Sequence, residues 1–186
     1  MQETQNFTDL QEKTVSSKQV FDGRLLKVYE DTVRMPDGAL KTREYINHIG
    51  ASCVLPITED NEAVLVRQFR YPFHAELIEV PAGKLDSARE DRAMTARREL
   101  LEETGLTADE LLYLGSTYTS VAYSNEVISI YMARGLHQQE QKLDEGEFLN
   151  VIRIPMPELI EKVMAGELPD PKTQIAVLKA ARILGM

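Results

Sequence analysis

The 186 residues are enough for one domain with a real core. A net charge of −9 argues against general binding to nucleic acid or to an anionic membrane surface, and no apolar run is long enough to span a bilayer. The lone cysteine, Cys53, excludes a disulfide framework within the chain. The polar start MQETQNFTDLQEK has no apolar core of a secretory signal, so the cytoplasm is the expected location.

Residues 1 to about 12 are polar and are expected to be loose. Leu26 to Val33 is enriched in β-branched and aromatic residues and reads as a strand. Pro36-Asp37-Gly38 supplies a turn, and Ala39 to His48 returns as a second strand to complete a hairpin. Cys53 to Ile57 is a short buried strand, and its thiol is expected to be inert. Asp60-Asn61-Glu62 turns the chain into a further strand, Ala63 to Arg70, which Tyr71-Pro72-Phe73-His74 breaks. Leu77 to Val80 is short and apolar and leads to Pro81-Ala82-Gly83. Beyond residue 106, strands are expected at Leu111 to Thr119 and Val127 to Ala133, and helices at Met156 to Ala165 and Thr173 to Leu184. No repeat, low-complexity tract or linker divides the chain, so one α+β domain with a mixed sheet between helices over 1–186 is expected.

The stretch from Gly83 to Leu106 carries the chemistry. No Pro or Gly interrupts Ala88 to Thr104, Ser87 is a candidate N-cap with Glu90 completing a capping box, and Gly105 is a natural stop. Ala93, Ala96 and Leu100 form a narrow apolar stripe, and Glu99, Glu102 and Glu103 share the adjoining face. Carboxylates crowded at the C-terminal end of a helix oppose its dipole. Arg97 and Arg98 relieve part of that repulsion, and a hard divalent cation would complete the compensation. A merely solvated charged face is the plainer alternative.

Arg98-Glu99-Leu100-Leu101-Glu102-Glu103-Thr104-Gly105-Leu106, with Glu90 ahead of it and Gly83 leading, resembles the Nudix box. The spacing from Gly83 to Glu90 is one residue longer than the family pattern; the extra residue lies in the loop and leaves the carboxylate register untouched. The resemblance implies an α/β/α sandwich and a Mg²⁺ site, with Mn²⁺ as the substitute ion. Its ligands would be the Ala82 carbonyl and the carboxylates of Glu99, Glu102 and Glu103, Glu103 also serving catalysis. Glu90 and Arg98 would fix loop to helix.

Beyond the box, the chain resembles the ADP-ribose pyrophosphatases along nearly its whole length. The hairpin through Arg43-Glu44, Val66 to Arg70, Leu77 to Gly83, Tyr118 to Ser120, Asn125-Glu126 and Leu143 to Phe148 carry that likeness. On this resemblance Arg70 would contact the diphosphate, Glu79 the ribose or adenine, and Arg43 the ligand across a homodimer formed through the N-terminal β region, about residues 1–48. In the acidic run Asp144-Glu145-Gly146-Glu147, Glu147 would be a further metal contact and Glu145 the general base. Val121, sixteen residues after Gly105, stands where that subgroup carries proline. The expected function is Mg²⁺-dependent hydrolysis of a nucleoside diphosphate sugar, first ADP-ribose. The alternatives are another nucleotide sugar such as GDP-mannose, or a Nudix-fold nucleotide-binding protein without turnover. No nucleic-acid or membrane partner is expected.

Overall fold

The computed structural model describes residues 9–143 and 145–186. They fall into two compact units: one holds the described residues up to His48 together with Ser120–Glu126, and the other holds Ile49–Thr119 and Val127–Met186. Most of the N-terminal stretch expected to be loose, and Asp144 of the acidic run, lie outside the described residues.

The first unit is an antiparallel sheet in the order β1-β2-β3, made of Lys13–Asp22, Lys27–Arg34 and Leu40–Ile46. The expected hairpin is its second half. Gly38 donates its N–H to Met35 O at 2.9 Å and closes the turn at Pro36-Asp37. The sequence reading missed β1, because Ser, Lys and Gln interleave with its valines and no residue of the strand is buried. In the same unit the 120–126 loop is tied to the end of β3: Ile46 N–H donates to Tyr123 O at 2.8 Å, and Asn125 Nδ2 donates to Asn47 Oδ1 at 2.7 Å.

The second unit is built on β4, Ala51–Pro56, in which every residue is buried. A strand presents alternate residues to opposite faces. Ala51, Cys53 and Leu55 join one core with Met156, Leu159, Ala176, Val177 and Ala180, whereas Val54 joins a second core with Ala96, Leu100 and Leu106. The strand is therefore buried on both faces, as a sheet covered by helices on each side requires. Around it the sheet runs β7-β4-β9-β8, with β7 Ala82–Lys84, β8 Leu106–Tyr118 and β9 Val127–Gln138; only the β4–β9 pairing is parallel. A second sheet, β10-β5-β6, is antiparallel and comprises Leu149–Pro155, Glu62–Arg70 and Ala75–Glu79. The helices are α1 Arg92–Thr104, α2 Met156–Met164 and α3 Pro171–Leu184. α1 covers one core, while α2 and α3 cover the other.

The expected start of α1 needs correction. The helix begins at Arg92, and its cap is Asp91, whose Oδ1 accepts from Ala93 N at 2.8 Å and Met94 N at 3.1 Å. Aspartate caps as well as serine, and Asp91 lies closer to the first apolar residue of the stripe. Ser87 and Glu90 instead close a loop: Ser87 O accepts from Glu90 N, and Glu90 Oε2 accepts from Asp86 N. At the other end Gly105 adopts φ +69° and donates to Leu101 O, as expected of a helix stop.

Candidate active site

Two carboxylates of α1 are turned inward. Glu99 is 8% exposed and Glu103 only 2%. Burial, opposed by Arg98 and reinforced by Glu102 and Glu147, pushes the Glu99 carboxyl up to about 7. Burial and the neighbouring Glu99 push Glu103 up to about 8, against the Ala82 N–H; Glu147 adds to the rise and Arg70 opposes it. The loop carboxylate of Glu147 and the guanidinium of Arg70 are thus within electrostatic reach of this pair.

The backbone before the helix is shaped to the pair. Ala82 N–H donates to Glu103 Oε2 at 3.1 Å. A Cβ on Gly83 would lie 1.9 Å from Glu99 Oε1, so any side chain there would displace that carboxylate from its present position. This gives a packing reason for the leading glycine of the motif.

Arg98 is the hub between loop and helix. Its Nη1 donates to Glu99 Oε1 at 2.7 Å and Glu102 Oε2 at 2.9 Å, and its Nη2 reaches Lys84 O at 3.1 Å. Its Nε lies 3.6 Å from Glu90 and 3.7 Å from Asp86. Arg97, also expected to relieve the carboxylates, instead donates to Ala108 O at 2.7 Å. Among the described residues no three metal-binding side chains are pre-assembled into one ligand group. Arg98 holds both Glu99 and Glu102, while Glu103 is turned inward to the Ala82 N–H.

The acidic loop is rooted on the same helix. Lys142 N–H donates to Glu102 O at 3.2 Å, and the Gln141 side chain donates to Glu103 O. Glu147 is half-buried, whereas Glu145 is exposed.

Arg70 and Glu79 face each other on β5 and β6. Arg70 Nε and Nη2 donate to the two Glu79 oxygens, each at 2.7 Å. Glu79 is 2% exposed and also accepts from Lys172 Nζ at 2.5 Å. Lys172 and its neighbour Asp170, 3.0 Å apart, were not anticipated from the sequence. The available signal was local: Asp170 followed by Pro171 is a cap and first-turn pair that places the start of α3 two residues earlier than expected. Arg43 lies in the three-stranded sheet of the other unit, where its guanidinium donates to both oxygens of Glu12 at 2.8 and 2.6 Å. Val121 and Tyr123, in that unit's loop, are 80% and 58% exposed.

The NUDIX domain family model matches residues 46–174, and that of the nucleoside diphosphate sugar hydrolase N-terminal domain matches residues 12–46. The chain belongs to the Nudix family and is a Nudix hydrolase. Among its relatives, a methanol dehydrogenase activator of Bacillus methanolicus is 40% identical over 90% of this chain and 91% of its own. An ADP-ribose pyrophosphatase of Bacillus subtilis (strain 168) is 37% identical, again over 90% of this chain and 91% of its own. The solved structure of an ADP compounds hydrolase superposes with a TM-score of 0.79, covering 95% of this chain and 96% of its own at 22% identity, a likeness of fold.

Proposed function

We propose that this hydrolase cleaves the diphosphate of ADP-ribose. Water attacks one phosphorus, the bridging P–O bond breaks, and AMP and ribose 5-phosphate leave. The observation that carries this reading is the buried pair Glu99 and Glu103: burial raises their carboxyls to about 7 and about 8, with Glu102 and Glu147 adding to the first and Glu99 to the second. A site short of positive charge, lined by oxygen donors and flanked by an arginine, is matched to a hard cation and a phosphate ester. The donor set fits Mg²⁺, or Mn²⁺ in its place: Glu99, Glu102, Glu103 and Glu147, with the Ala82 carbonyl. Once bound, such an ion neutralises diphosphate oxygens and lowers the pKa of the attacking water. Glu99 and Glu102, both held by Arg98, would have to share their oxygens with such an ion or release the arginine to hold it.

The chain's own residues divide the remaining work. Arg70 binds the diphosphate, and Glu79 holds Arg70; at 2% exposure, Glu79 offers ribose or adenine little access. Glu145, exposed on its loop, takes the proton of the attacking water as general base. The whole chain acts as one Nudix domain of a cytoplasmic homodimer, with the N-terminal sheet contributing Arg43 to the partner's ligand. The full exposure of β1 supports that sheet as the dimer surface.

The test is product release from ADP-ribose, GDP-mannose, ADP-glucose, NADH and a nucleoside triphosphate with Mg²⁺, each with an EDTA control. EDTA-sensitive turnover that favours ADP-ribose is expected. Preference for GDP-mannose would move the substrate to another nucleotide sugar and point to the Val121 loop; no turnover at all would make the protein a binder. Glu103→Gln should abolish most turnover with an unchanged fold by circular dichroism.

A further inference from the structure

The start of α3 carries an expensive arrangement. Lys172 is only 8% exposed and sits in the first turn of a helix, where the dipole disfavours a cation. Burying an ammonium is costly unless partners surround it. Here they do: Lys172 Nζ donates to Glu79 Oε2 at 2.5 Å and to Asp170 Oδ1 at 3.0 Å. Asp170 in turn caps α3 through Thr173 N at 3.0 Å, and Thr173 Oγ1 accepts from Val80 N at 2.9 Å. The helix start therefore grips two successive residues, Glu79 and Val80, just ahead of Ala82, whose N–H holds Glu103.

Read along its contacts, the cluster alternates in sign: Arg70, Glu79, Lys172, Asp170. The sum is neutral, with one cation for each carboxylate. Without Lys172, two carboxylates would share Arg70 alone, and its charge would be drawn inward. With Lys172 present, Arg70 spends Nε and Nη2 on Glu79, and no hydrogen bond among the described residues uses its Nη1. Arg70 remains 38% exposed at its side chain.

We propose that Lys172 is a positioning residue for the hydrolysis: by neutralising Glu79 and Asp170 from below, it fixes the Arg70 guanidinium in place and leaves its outer edge and its charge for the diphosphate. Lys172 does not touch substrate; it acts through Glu79. The inference rests on the reading above that Arg70 meets the diphosphate, and it makes the C-terminal helix part of the substrate-binding apparatus.

The experiment is a double-mutant cycle of Lys172→Met and Arg70→Ala, read as KM and kcat for ADP-ribose with Mg²⁺. Lys172→Met is expected to raise KM about tenfold, the loss of one charged contact, with a smaller change in kcat. On the Arg70→Ala background the same substitution should add nothing. Lys172→Arg, which keeps the charge, should restore most of the affinity. Equal KM effects of Lys172→Met on both backgrounds, or no KM effect in the wild-type background, overturn the proposal while leaving Arg70's role standing. An unchanged KM and kcat in Arg70→Ala overturns both. Should Lys172→Met fail to fold, Lys172→Gln, which keeps a donor but no charge, carries the same expectation.

Discussion

Glu99 and Glu103 owe their character to what surrounds them rather than to being acidic. The Gly83 backbone lies where any side chain would strike the Glu99 carboxylate, at 1.9 Å for the first added atom. Gly83→Ala must therefore push Glu99 out of register. If Glu99 is a metal ligand, its displacement costs metal affinity, about 10–100-fold for comparable supporting positions. The expected result is a higher Mg²⁺ concentration for half-maximal turnover, measured by metal titration, with secondary structure retained. The two loop carboxylates separate in the same way. If Glu145 is the base, Glu145→Gln lowers kcat more than it raises KM, while Glu147→Gln acts mainly on the metal requirement. An unaltered kcat in Glu145→Gln would move the base to Glu147, which lies within electrostatic reach of Glu99 and Glu103.

The helix α1 shows how a correct motif can carry a wrong boundary. Ser87 and Asp91 both have side chains able to cap, and the pairing of Ser87 with Glu90 favours the earlier start. In the folded chain Glu90 turns back to Asp86 and Arg98, so the segment 86–90 is spent on the loop. Asp91→Ala should cost about 1 kcal/mol of unfolding free energy by urea titration, and Ser87→Ala close to nothing. Equal costs would place the cap elsewhere. The register Glu99, Glu102 and Glu103 was legible because helical spacing is set by the backbone and is indifferent to where the helix begins. Strands β7 and β10 were not legible: three residues carry too little pattern, and β10 mixes Asn, Arg and Pro among its apolar positions. Lys172 was hidden for another reason. A lysine is read as solvated until tertiary structure brings Glu79, distant in sequence, against it.

At the scale of the molecule, the raised carboxyls couple the site to stability. Their ordinary value is 4.5, and the folded chain holds their protons up to about 7 and about 8. A group whose pKa is higher in the folded state supports folding below its unfolded value and loses that support as pH rises through the folded one. Without metal, the melting temperature should fall between about pH 5 and pH 8. Mg²⁺ should flatten or reverse this trend, because the ion displaces those protons. Glu103→Gln should remove the larger part of the slope, and a flat profile in the metal-free wild type would contradict the burial of the pair. The N-terminal sheet gives a second test: Val15 and Val20 on β1 are 53% and 47% exposed. If β1 is the dimer surface, Val15→Asp with Val20→Asp should convert a sedimenting dimer to monomer at micromolar concentration.

Strand β4 also has a practical consequence. Cys53 is the chain's only thiol, it is 0% exposed, and burial pushes its pKa up to about 12. It sits in the strand that belongs to both cores of its unit, the segment least able to open by fraying. A thiol reagent can reach it only when that whole unit comes apart. The labelling rate of the unmodified protein therefore counts rare global openings, and tighter ligands should slow it in proportion to their occupancy. The molecule carries its own clock for unfolding, with no engineered probe required.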